Sequence, residues 1–152
     1  MPQRPGLGLA RDRKTLEILS RTGNVESHSV IPVGQYLWVA DGFANTLDIV
    51  DQTGDARTLS LASGPLAGRD PAPDIMTLSP DEATVFVALR GKTPLTSNIK
   101  GLDNAVGDVG GFAILAVTES GRDMAVSSFV ALPIAAGASV VDPHGVRVRV
   151  IK

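Results

Sequence analysis

Slid along itself so that His28 falls on Met76, the chain lays His28–Ala40 over Met76–Ala88 without a gap. Pro32 meets Pro80, Trp38 meets Phe86, and Leu37, Val39 and Ala40 meet Val85, Val87 and Ala88. A third copy opens at His144-Gly145-Val146-Arg147-Val148, farther beyond Met76 than Met76 is beyond His28. The surplus has a place in Gly91–Gly111, where the first copy has only a tight turn. Self-similarity at a fixed period marks stacked supersecondary units, each unable to bury its apolar face alone.

Within the repeats, β-branched runs and period-2 alternation lie between turn residues, the pattern of half-buried strands. Strands are expected at Thr15–Leu19, His28–Ile31, Tyr36–Asp41, Thr46–Val50, Arg57–Leu61, Ile75–Ser79, Thr84–Leu89, Phe112–Val117, Met124–Leu132 and Val146–Ile151. Sixteen Gly and ten Pro punctuate them, and no stretch carries a 3.6-residue period. Four strands per repeat is the anatomy of a β-propeller blade. The expected fold is therefore all-β, a partial β-propeller of about two complete four-stranded antiparallel blades plus flanking strands. Residues 1–13 form an irregular arm and residues 14–152 the propeller domain. Its parts are one blade at 26–63, a second at 74–132 with insertion loop 91–111, and the inner strand of a further blade at 142–151. At about 45 residues per blade, 152 residues fall short of the four blades a closed ring needs. Unpaired blade faces are then expected to drive self-association.

Charge narrows the partners. Fourteen basic against sixteen acidic residues give a net charge of −2, which leaves no footprint for a nucleic-acid backbone. The absence of cysteine excludes a disulfide framework, a thiolate zinc site and a cysteine nucleophile. Charges and prolines break Met1–Ser20, so no signal peptide is legible and the chain as written is expected to be cytoplasmic. A periplasmic or extracellular place follows if it is a piece of an exported parent. Ser127–Val141 is too short and too interrupted by Pro133 and Gly137 to span a bilayer. Gly91-Lys92-Thr93 is no phosphate-binding loop, because Phe86 stands where the loop needs glycine and Pro94 follows.

Leu37-Trp38-Val39-Ala40-Asp41 with Asn45-Thr46-Leu47-Asp48-Ile49-Val50-Asp51, and Ser79-Pro80-Asp81 with Val85-Phe86-Val87-Ala88, resemble repeats of the YVTN family of seven-bladed propellers. Gly68-Arg69-Asp70-Pro71-Ala72-Pro73-Asp74 and Asp142-Pro143-His144-Gly145-Val146 are similar to the closing blades of its bacterial members. The resemblance spans roughly Ser27 to Arg149 and implies the C-terminal portion of such a propeller. Glu82 stands where the family places glycine after Ser-Pro-Asp, so that turn is expected to be looser.

In the ungapped repeat alignment, Glu26-x-His28, Asp74-x-Met76 and Asp142-x-His144 share one blade position. Residues two apart on a strand point to one side, here the mouth of the channel. His28, His144, Glu26, Asp74 and Asp142 could there hold a divalent metal or pair as acid and base. No other cofactor is implied. Trp38, Tyr36 and Phe86 are expected between blades as core. The expected role is a binding or interaction module, with a protein partner or small molecule at the blade rim and loop 91–111. The alternative is part of a lactonase-like or metal-binding enzyme built on the His/carboxylate set.

Overall fold

The alternating runs resolve into two four-stranded meanders and one short hairpin. In the computed structural model, which describes residues 9–11, 18–21, 27–92, 105–133 and 141–151, β1 (Leu9–Arg11) pairs with β2 (Ile18–Arg21). The first sheet runs in sequence order through β3 (Ser27–Val33), β4 (Tyr36–Asp41), β5 (Thr46–Val50) and β6 (Ala56–Ser60). The second repeats that order with β7 (Pro73–Leu78), β8 (Thr84–Leu89), β9 (Gly111–Thr118) and β10 (Asp123–Ala131). All pairings are antiparallel. The all-β, propeller-like class is thus met, with two four-stranded blades.

Register corrects the repeat alignment. Asp41 and Leu89 are equivalent, as the alignment has them, and they lie opposite Ser27 and Pro73 respectively. The alignment sets Ser27 over Ile75 instead, so the first strands of the two sheets are slipped by a pair of positions. The two hairpins differ in length. Val33 faces Tyr36 across a tight turn in which Gly34 adopts φ +58°, whereas the second hairpin closes through the Ser79 N–H to the Thr84 carbonyl at 2.8 Å. The residue equivalent to Asp74 is therefore His28, not Glu26 as the ungapped alignment has it, and Glu26 lies outside the described residues.

The turn at Glu82 is also closed rather than loose. Its N–H donates to the Ser79 carbonyl at 2.9 Å, the Ser79 hydroxyl donates to Asp81, and the Asp81 carboxylate accepts the Ala83 N–H at 3.2 Å. The non-glycine residue is accommodated by a left-handed backbone, φ +57°.

Between the sheets lie Trp38, Leu47, Leu66, Val85, Leu89 and Leu115, all fully buried. Asn45 locks the seam: its side chain accepts the Ala72 N–H and donates to Asp70, both at 2.7 Å, while its carbonyl accepts the Leu61 N–H. Trp38 is core as expected, and Tyr36 packs partly buried against the same cluster. Phe86 holds the equivalent place on β8 but is only half-buried.

Residues 141–151 run beside β7. The Thr77 hydroxyl donates to the Val146 carbonyl and Gly145 packs beside Ile75. This segment stands where a third inner strand would, but it carries no strand ladder, which corrects the expected strand Val146–Ile151. Its attachment is by side chain, and a ladder needs a neighbouring backbone at hydrogen-bonding distance. The irregular arm is corrected as well, since Leu9–Arg11 is a strand. Of loop 91–111, residues 93–104 lie outside the described residues.

Candidate functional site

His28, Asp74 and His144 come from three successive inner positions and meet at one point. Both β3 and β7 carry an irregularity at the same place, between Ser27 and Val30 and between Pro73 and Met76. A bulge re-aims the side chains within it, and His28 and Asp74 sit in these two. The Asp74 carboxylate bridges the imidazoles, with Oδ1 3.3 Å from His28 Nδ1 and Oδ2 2.8 Å from His144 Nδ1. Asp74 is buried at 1% exposure, whereas the two imidazoles keep 32% and 36%.

Behind the carboxylate lies a fully buried cation. Arg90 follows β8 directly, and its Nε stands 3.7 Å from Asp74 Oδ2 and 3.4 Å from Asp142 Oδ1. A buried carboxylate without a counter-charge would be strongly penalised, so Arg90 is what allows Asp74 and Asp142 to sit beneath the surface. With neutral imidazoles the group carries two negative charges against one positive.

This geometry gives the histidines a defined chemistry. A carboxylate facing Nδ1 favours the tautomer with its proton there and turns Nε2, the opposite ring nitrogen, away from the carboxylate. Carboxylates orient metal-bound and proton-transferring imidazoles in this way. Asp74 faces both imidazoles and shares Arg90 with Asp142, so it is positioned as their support, while Asp142 completes the pairing of the buried cation. Among the described residues, no group of three or more His, Asp or Glu side chains is arranged to hold a metal ion.

Of the five residues singled out from sequence, four are thus brought together: His28, Asp74, Asp142 and His144. Arg90 is the functional residue that sequence reasoning does not reach. Its signal lies in the repeat, where Arg90 aligns with Gly42 and ends an otherwise apolar strand with a charge. Compared with known proteins, the chain matches no family model, no curated protein and no solved structure. No helix among the described residues is long and apolar enough to cross a membrane.

Proposed function

We propose that the chain is a repeat-built binding module whose working surface is the end of the sheets where β3 and β7 begin. The observation that carries this reading is the convergence of His28 and His144 on one buried carboxylate. Loop 91–111 is rooted at the same end, because Leu89 at the close of β8 pairs with both Pro73 and Gly111. Half-exposed polar groups held by a buried support are what a recognition site requires. The resemblance to YVTN repeats adds a context, the C-terminal portion of a larger propeller, in which this end would form part of the channel mouth.

The test is an NMR titration of the labelled protein with a mixture of small organic acids, amines and sugars. Shift changes are expected at residues 28, 74–76, 90–92, 108–111 and 141–145. Changes confined to the opposite strand ends, around Gly34, Glu82 and Ser120, overturn the reading.

A second reading is favoured by the Nδ1 contacts themselves: the imidazoles serve a divalent metal or act as general bases in a hydrolytic, lactonase-like enzyme. Zinc titration then moves the imidazole resonances of His28 and His144 together at one equivalent, and His28→Ala or His144→Ala abolishes the response. Unchanged imidazole shifts remove it.

A further inference from the structure

Beside the histidine cluster a cleft of about 590 Å³ opens at the root of loop 91–111. Its size lies within the range of small-molecule pockets, roughly 300–1,000 Å³. Apolar side chains of Val109, Phe129, Ala131, Leu132 and Val141 line it, with Gly91 and Gly110 beside them. Leu132 keeps 41% of its surface exposed although it lines a concavity.

The lip carries charge of one predominant sign. Arg69 and Lys92 both line the cleft, with Asp108 as the acidic residue among its lining. Arg69 Nε donates to Asp108 Oδ2 at 2.8 Å, and Asp108 also accepts the Asp70 N–H. One carboxylate thus faces two cations, leaving one positive charge over. Lys92 is exposed, follows Gly91 directly and lies close enough to Asp108 for its charge to act on that carboxylate.

The cleft is tied to the histidine cluster through the chain. Gly91 and Val141 form one wall and are packed so closely that a Cβ at Gly91 would collide with the Val141 carbonyl oxygen. Their neighbours in sequence are Arg90 and Asp142, which form the ion pair supporting Asp74. Anything that parts Gly91 from Val141 therefore pulls on that pair.

We propose that this cleft binds a monoanionic amphiphile, a carboxylate with a short hydrocarbon tail. The carboxylate meets Lys92 and Arg69, and the tail lies on Phe129, Leu132 and Val141. The apolar walls supply transfer free energy but no preference among tails. The excess positive charge selects an anion over an alcohol of the same length. The proposal rests on the binding-module reading and names a ligand class for its working surface.

The test uses the whole chain with octanoate and, as an uncharged control, octanol, followed by amide NMR shifts. Octanoate should move Gly91, Gly110, Phe129 and Leu132 in a saturable manner, and octanol should bind at least about tenfold more weakly. Lys92→Glu, an exposed change, should weaken octanoate about tenfold and leave octanol unaffected. Ala131→Trp, which fills the cleft from its rim, should abolish both. The proposal is overturned if octanoate leaves those four amides unmoved, if octanol binds equally well, or if Lys92→Glu keeps full affinity. Should octanoate fail while other fragments still move residues 28, 74–76 and 141–145, the binding-module reading stands and the ligand class falls.

Discussion

The indole N–H of Trp38 donates to the carbonyl of Gly121 over 2.7 Å, a buried bond that runs from the first sheet to the last turn of the second. Trp38 thereby does two things at once. Its ring fills the space between the sheets, and its one polar atom satisfies a buried carbonyl.

Trp38→Phe should separate the two contributions from the rest of the core. It keeps an aromatic ring but orphans the Gly121 carbonyl and leaves a small void, for an expected loss of about 2–4 kcal/mol. In a chain of this size each kcal/mol lowers Tm by about 2–4 °C. Thermal unfolding followed by circular dichroism measures it, and a Tm within about 2 °C of the parent would show that the bond does not couple the sheets.

Arg90 and Asp74 should behave as a coupled pair. Arg90→Met leaves two carboxylates buried without their cation, and Asp74→Asn leaves Arg90 with Asp142 alone. Breaking a buried pair at one partner costs about 3–5 kcal/mol. The double variant should lose less than the sum of the two by about 0.5–3 kcal/mol, because only Asp142 is then left without its cation, where Arg90→Met alone leaves both carboxylates so. Urea unfolding of the four proteins gives the cycle; strict additivity would place the two charges in independent environments.

How far the sequence discloses this site depends on what each feature rests on. The strands are legible because burial on one face imposes period 2, and Tyr36–Asp41, Thr46–Val50 and Thr84–Leu89 match to the residue. The identities in the cluster are legible as well, since few residue types carry such chemistry. Register is not. The bulges are equivalent in the two repeats, but the longer turn at Pro80–Ala83 changes spacing without changing hydrophobic pattern, so an ungapped alignment matches Asp74 with Glu26 instead of His28. Nor can Arg90 be found by periodicity, because a charge at a strand end ordinarily signals exposure, and here it is fully buried.

Glu82 provides a test in the opposite direction. A side chain in the left-handed region costs about 1–2 kcal/mol, and glycine removes that strain at an entropic cost of roughly 0.5–1 kcal/mol. The turn's bonds run through the Glu82 backbone N–H and through Ser79 and Asp81, so glycine preserves them. Glu82→Gly should therefore raise stability by up to about 1 kcal/mol in chemical denaturation. A clear loss would mean that the glutamate side chain contributes a contact outweighing its backbone strain.

Asp108 should shape the acid limb of the stability curve. Burial alone would raise its pKa, but the Arg69 hydrogen bond, the Asp70 N–H and the charges of Arg69 and Lys92 together hold it below the ordinary 3.8. A carboxyl whose folded pKa is depressed binds its proton more readily when unfolded, so its stabilisation is present above about pH 3.8 and is lost as pH falls through the folded value. Asp51, bonded by the Thr53 hydroxyl, and Asp81, bonded by the Ser79 hydroxyl, are lowered too and act in the same window. The informative quantity is therefore the difference between the parent and Asp108→Asn. At pH 7 the variant should be the less stable, by a modest amount because Asp108 is 36% exposed and water screens the pair. Below about pH 3.8 the two curves should converge, and added salt should narrow the gap at neutral pH. Denaturant melts from neutral pH down through the acid range check this; a gap that stays constant throughout would mean that the Arg69–Asp108 bond holds loop and sheet together no better than a neutral amide does.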